Sequence, residues 1–122
     1  MEKIAVSSEG PGLDARVDPR FGRAAGFAIV DLQTMACDYI DNGASQVMAR
    51  GAGIQAAEIV AATGARVLLT GFVGPKAFQA LRAAGIEIGQ NIDQYTVRQA
   101  VQQFQNGQVS LAVAPNRRGH GR

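Results

Sequence analysis

Hydrophobic and polar positions divide the chain into two styles of segment. In Lys3-Ile4-Ala5-Val6-Ser7, Ile4 and Val6 fall on one face of a short strand. Gly10, Pro11 and Gly12 end it and open a long loop. Gly26-Phe27-Ala28-Ile29-Val30-Asp31 reads as a second strand, Gln33-Thr34 as a turn, and Ala36 to Ile40 as a third strand returning antiparallel. From Gly53 the period changes. Gly53 to Ala62 is alanine-rich with strong helix propensity, and Gly64 suits the position just past its end. Arg66-Val67-Leu68-Leu69-Thr70 is nearly all apolar, as expected of a strand covered on both faces. Pro75 fits the first position of a second helix whose inward face carries Phe78 and Leu81, and Gly85 ends it. Ile86-Glu87-Ile88 is a short fifth strand. Thr96 to Gln99 matches a capping box, with Val97, Val101 and Phe104 following at i, i+4 and i+7 on a third helix that Gly107 stops. Gln108 to Val113 has the composition of one more extended piece.

The order βββαβαβα, with right-handed crossovers, puts the fourth strand parallel to the first. It predicts an α/β fold with a mixed five-stranded sheet in the order 3-2-1-4-5 and three helices, the ribonuclease H-like arrangement. A single domain is expected over residues 1–112, and 113–122 reads as a flexible Arg-rich tail with almost nothing to bury. The first strand lies at the centre, at a topological switch point, and ligands of open α/β sheets collect beyond the carboxyl ends of such strands. The loops after strands one and four should therefore rim one crevice.

Both loops carry suitable chemistry. The first holds Arg16-Val17-Asp18-Pro19-Arg20-Phe21-Gly22-Arg23-Ala24. Pro19 and its effect on Asp18 shape a turn, Phe21 supplies an apolar anchor, and Gly22 permits close backbone approach. Arg16, Arg20 and Arg23 keep their charge at all ordinary pH and present planar donor forks to anions. The second loop, Gly71-Phe72-Val73-Gly74-Pro75-Lys76, opens a helix, where free amides and the dipole favour an anion. It lacks the Gly-Lys-Ser/Thr ending of a P-loop. Thr70 and Ser7 stand at strand ends. The plainer readings are arginines neutralised by Asp14 and Asp18, and a well-capped helix start.

Charge and composition narrow the function. The chain has 122 residues and a formal net charge of +2, but Arg117, Arg118 and Arg122 crowd its last six positions. Without them nine basic residues face ten acidic ones, so the body offers no broad basic face for nucleic acid. Ten of the twelve basic residues are arginine, a bias toward directional anion contacts. Cys37 is the single cysteine, which excludes an internal disulfide and Cys-rich metal motifs. Without a membrane-length apolar run or a signal-peptide core, no membrane contact and a cytoplasmic location are expected. Lys3 to Ser8 holds no carboxylate for a two-metal nuclease. The only histidine, His120, is in the tail, so no base serves a nucleophile. A binding module is expected before an enzyme.

Several segments also resemble one known family. They are Lys3-Ile4-Ala5-Val6, Leu13-Asp14, Arg20-Phe21-Gly22-Arg23-Ala24, Phe27 to Asp31, Gly71 with Gly74-Pro75-Lys76-Ala77, Leu81 with Gly85-Ile86, and Thr96-Val97. Together, over residues 2–107, they are similar to the dinitrogenase iron–molybdenum cofactor-biosynthesis family. The resemblance implies a ribonuclease H-like fold and a protein that binds or carries metal–sulfur clusters without redox catalysis of its own. The small stand-alone members that the chain most resembles imply a molybdenum–copper sulfide cluster held non-covalently, with P-loop ATPases among the partners. Many members carry histidine immediately before Phe-Gly; here that position is Arg20, which cannot coordinate a metal and fits electrostatic capture of an anionic cluster. The expected binding residues are Arg16, Arg20, Phe21, Gly22, Arg23, Thr70, Gly71, Gly74 and Lys76, with none ligating metal directly. The alternative is an interaction module that regulates a partner ATPase, with cluster binding secondary.

Overall fold

Nine elements follow one another in the computed structural model, which describes residues 2–116. They are β1 (Lys3–Ser8), β2 (Gly26–Asp31), β3 (Cys37–Asp41), α1 (Gly43–Gln46), α2 (Ala52–Ala62), β4 (Val67–Leu69), α3 (Pro75–Ala83), β5 (Glu87–Gly89) and α4 (Val97–Gln105). The sheet order is β3-β2-β1-β4-β5, the one expected from connection handedness. β1 pairs antiparallel with β2 and parallel with β4, so that Val6 faces Ala28 on one side and Leu69 on the other. β3 and β5 form the edges.

Alternation along the strands builds two apolar layers. Ala5, Phe27, Ile29, Leu68 and Ile88 point to one face and pack with Val60 of α2 and Phe78 and Leu81 of α3. Ile4, Val6, Ala28, Val30 and Leu69 point to the other and meet Val97 and Val101 of α4. Covering both faces explains why β1 and β4 have no polar side, since every position from Ile4 to Val6 and Val67 to Leu69 is buried. No helix among the described residues is long and apolar enough to cross a membrane.

Local signals behave as their chemistry dictates. Pro75 occupies the first position of α3 behind Gly74, and Gly64 and Gly85 turn the chain out of α2 and α3 with φ of 81° and 80°. The capping box of α4 is complete: the Gln99 N–H donates to Thr96 Oγ1 at 3.2 Å and the Thr96 N–H to Gln99 Oε1 at 3.0 Å.

The structure adds a fourth helix to the three expected. α1 is a single turn, too short for an apolar stripe to announce it. Its support is tertiary: the buried Asn42 carbonyl accepts from Ser45 and Gln46, and the Asn42 amide donates to Ala24 O at 3.0 Å. The extended piece expected over Gln108–Val113 shrinks to a bridge between Leu111 and Gly89, with the Ala112 N–H donating to Ile88 O at 2.7 Å. Of the tail beyond residue 112, residues 113–116 are described, and Asn116 is hydrogen-bonded to the body. The remainder of the expected Arg-rich tail, with His120, lies outside the described residues.

Two outcomes follow. Thr96→Ala removes the Oγ1 acceptor of the capping box, leaving the Gln99 N–H without its partner, and is expected to lower stability by about 1 kcal/mol, read as a lower urea midpoint at unchanged slope. Cys37 packs against the α4 face, and burial pushes its thiol up, opposed by a main-chain hydrogen bond at Gly12 and reinforced by Asp38. A raised pKa means less thiolate at a given pH, so iodoacetamide at pH 8 should alkylate the folded protein more slowly than the urea-unfolded chain.

Candidate functional site

The loop between β1 and β2 folds in two halves with different destinations. In its first half the Val17 N–H donates to Tyr95 O at 3.0 Å. The Val97 and Arg98 amides at the start of α4 each donate across 2.8 Å, to Ala15 O and Leu13 O. This carries Arg16 to Thr96, on the α4 side. The second half is shaped by Asp18, whose side chain is only 4% exposed. Its Oδ1 accepts from Arg20 N–H at 3.1 Å and its Oδ2 from Ala25 N–H at 3.2 Å, closing a turn around Phe21 to Ala24. Ser7 Oγ, at the end of β1, donates to Asp18 O at 2.7 Å and pairs with Thr70 Oγ1, also at 2.7 Å.

That second half is stitched to the β4–α3 loop. The Phe72 N–H donates to Pro19 O at 2.7 Å, and the Phe21 N–H to Phe72 O at 3.1 Å. The approach requires Gly71, because a Cβ there would lie 2.5 Å from Pro19 O. Phe21 anchors the turn from beneath, its ring 5.4 Å from that of Phe27. The two loops thus rim one crevice, as the switch-point argument expects.

The crevice is a groove of about 490 Å³. One wall is Arg20, Phe21, Gly22 and Arg23; a second is Phe72, Gly74, Pro75, Lys76 and Ala77 at the start of α3; the third is Ala49 to Ile54 at the start of α2. Its floor is main chain at close quarters. A Cβ on Gly22 would lie 3.0 Å from Gly53 Cα, and a Cβ on Gly53 would lie 2.9 Å from Ala77 Cβ. Side chains at these two glycines would drive the walls apart.

Four cations surround the groove: Arg20, Arg23, Arg50 and Lys76. No carboxylate lines it among the described residues. The arginine neutralisation expected from Asp14 and Asp18 is met only in part. Asp14 pairs with Arg98 at 3.2 Å, and Asp18 lies 3.6 Å from Arg20 Nε, with that arginine side chain 56% exposed. Arg23 Nη1 donates to Gln46 O at 2.9 Å, and Gln46 Nε2 returns a bond to Arg23 O at 3.1 Å. Arg50 and Lys76 are exposed, with no salt bridge among the described residues. Neither α2 nor α3 has a side-chain cap. The amides of Ala52, Gly53 and Ile54, and those of Gly74, Lys76 and Ala77, find no acceptor among the described residues.

Of the nine residues expected from the sequence, Arg20, Phe21, Gly22, Arg23, Gly74 and Lys76 line the groove. Arg16 is carried away with the first half of its loop. Thr70 is fully buried against Ser7, and Gly71 lies behind the wall on Pro19, so both act as frame. Arg50 and the start of α2 escape the sequence reading. The run Arg50-Gly51-Ala52-Gly53 resembles Gly74-Pro75-Lys76 in kind, but a rule that looks beyond strand ends does not reach a helix preceded by α1.

Chemically the groove offers fixed positive charge and N–H donors. Among the described residues no aspartate, glutamate, histidine or cysteine lines it, and no group of three or more such residues gathers anywhere. It suits an anion, and the open space where a Cβ on Gly74 would stand lets one approach the main chain there. A smaller hollow of about 330 Å³, between the β5–α4 loop and Gln108 to Ala112, has no charged side chain in its lining.

The model of the dinitrogenase iron–molybdenum cofactor family matches residues 2–107. Similar solved structures include the apo form of the orange protein from Desulfovibrio gigas, 65% identical, covering 96% of this chain and 98% of that one at a TM-score of 0.94. A putative NifB protein from Thermotoga is 28% identical over 96% of this chain and 98% of that one, with a TM-score of 0.81. A putative dinitrogenase from Methanocaldococcus jannaschii, 15% identical over 93% and 96% of the two chains with a TM-score of 0.69, shows the shared fold alone. No curated protein matches the chain. With the family model spanning β1 to the end of α4, the chain belongs to the dinitrogenase iron–molybdenum cofactor family.

Proposed function

We propose that this protein is a non-catalytic carrier of an anionic molybdenum–copper sulfide cluster, held non-covalently in the groove. The observation that carries the reading is the convergence of four cations and two uncapped helix starts on a cavity that no metal-ligating side chain lines among the described residues. Arg20 and Arg23 supply charge and directional N–H donors from one wall, Lys76 and Arg50 from the others. Gly74, with open space where a Cβ would stand, lets cluster sulfurs approach main-chain amides, while Gly22 and Gly53 let the walls close on each other beneath them. Phe21, Thr70 and Gly71 hold the frame. Arg16, on the α4 side, contributes charge at a distance only. Membership of the dinitrogenase iron–molybdenum cofactor family and likeness to the orange protein support a metal–sulfur cargo. A reducing cytoplasm suits both a sulfide cargo and a lone thiol.

A partner surface is the second reading. Val47 is 85% exposed and Ile54 is 40% exposed, and both belong to the α1–α2 region that forms the third wall. Apolar side chains beside a charged groove favour contact with a partner that receives or delivers the cargo, and the resemblance points to a P-loop ATPase. Capture of a stoichiometric ATPase from native lysate, reduced by Val47→Asp, supports this reading; equal capture by both proteins overturns it.

Reconstitution tests the main proposal. Apo protein mixed with tetrathiomolybdate and copper(I) should retain a coloured species containing both metals through desalting; loss of all molybdenum sinks the idea. Arg20→Ala and Arg50→Ala should each raise the dissociation constant about ten- to a hundredfold, the loss of one charged hydrogen bond. Arg82, near the end of α3 with its guanidinium on Ala112 O and 4.0 Å from Glu87, is the control. If Arg82→Ala weakens retention equally, overall charge is responsible and the groove is not the site. Arg20→Lys should recover only part of the loss, because it keeps the charge without the planar fork.

A further inference from the structure

Asn116 stands in an exposed stretch beyond the last sheet contact, yet its side chain makes three hydrogen bonds. Oδ1 accepts from the Val73 N–H at 3.0 Å. Nδ2 donates to Gly71 O at 2.9 Å and to Asn91 Oδ1 at 3.0 Å. The same Gly71 carbonyl accepts from the Asn91 N–H at 2.9 Å, and Asn91 takes a left-handed φ of 64° to reach it. Asparagine tolerates that conformation better than most residues.

These bonds fall on the loop that carries one wall of the groove. Phe72 is tied to Pro19 and Phe21 on the inner side; Asn116 ties its two neighbours, Gly71 and Val73, on the outer side. Val73 is fully buried, so its N–H has no ready access to water and depends on Asn116 for an acceptor. The next residue, Gly74, begins the run of amides without acceptors. Asn116 is therefore the last fixed point before the anion-facing N–H groups.

We infer that Asn116 is a positioning residue for the groove: it sets the angle at which the start of α3 meets the arginine loop and so holds the Gly74, Lys76 and Ala77 amides on their target. The inference rests on the proposed reading of the groove as an anion site. A side-chain amide suits the task because it accepts and donates from one plane, as Val73 N–H and Gly71 O together require. An ionised carboxylate keeps the size and the acceptor but loses both donors, and sets an oxygen against the Gly71 carbonyl.

The experiment has a binding arm and a ligand-free arm. Asn116→Ala should weaken tetrathiomolybdate binding about tenfold, the loss expected when a positioning hydrogen bond fails. Thr96→Ala, a capping variant on the α4 side, should leave binding unchanged despite its lower stability. In the ligand-free protein, amide NMR signals of Gly74, Lys76 and Ala77 should shift in Asn116→Ala and also in the isosteric Asn116→Asp. Wild-type positions for those signals in both variants overturn the inference, whatever happens to binding. Shifted signals with unchanged affinity overturn it too, since the loop would then move without consequence. Should wild type itself fail to bind tetrathiomolybdate both alone and with copper(I), the cargo reading falls, and the functional part of this inference falls with it; the amide signals still decide whether Asn116 positions the loop.

Discussion

Two main-chain hydrogen bonds, from Phe72 to Pro19 and from Phe21 to Phe72, join segments that leave β1 and β4 separately. Everything at the groove depends on that stitch. It works because Gly71 has no side chain where Pro19 passes, and because Asp18 spends both carboxylate oxygens on the amides of Arg20 and Ala25. A carboxylate accepting two main-chain bonds in a nearly dry setting is a stiff brace, since losing either leaves a buried charge undersatisfied. Its negative charge faces inward toward amides, and the loop turns its guanidinium groups outward.

The electrostatic design is lopsided on purpose of geometry alone. Three segments bring cations to the same hollow, and among the described residues only Arg20 has a carboxylate in reach, Asp18 at 3.6 Å, while Asp14 is spent on Arg98. Repulsion among exposed cations is mild in water, so the fold tolerates it. The resulting field draws anions and fades with ionic strength. On the proposed reading, close range belongs to the amides of α2 and α3, whose orientation is set by the backbone and needs no side-chain ordering on binding.

Much of this was legible in the residues. β1, β2 and β4 announce themselves by apolar runs, the capping box of α4 by Thr96 and Gln99, and the sheet order by handedness. What local chemistry does not reveal is where a long loop sends its parts. Arg16 and Arg20 sit four positions apart in similar company, yet one is carried to α4 by its neighbours' bonds with Tyr95, Val97 and Arg98, and the other to α3 by bonds with Phe72. α1 is hidden because a single turn has no period, and Arg50 because its wall begins with a helix and not at a strand end. Asn116 is hidden because its partners are 25 to 45 positions away.

The contacts among Gly22, Gly53 and Ala77 have a consequence for the life of the chain. Those residues come from the first, middle and later parts of the sequence and meet only after the loop, α2 and α3 have all docked. A fragment that lacks any of the three cannot form the floor, so an anion site of the proposed kind would be complete only in the finished tertiary structure. Cargo that binds only this state favours it by mass action. A reactive inorganic cluster would thus be accepted by completed molecules and refused by nascent or damaged ones, with no separate proofreading device.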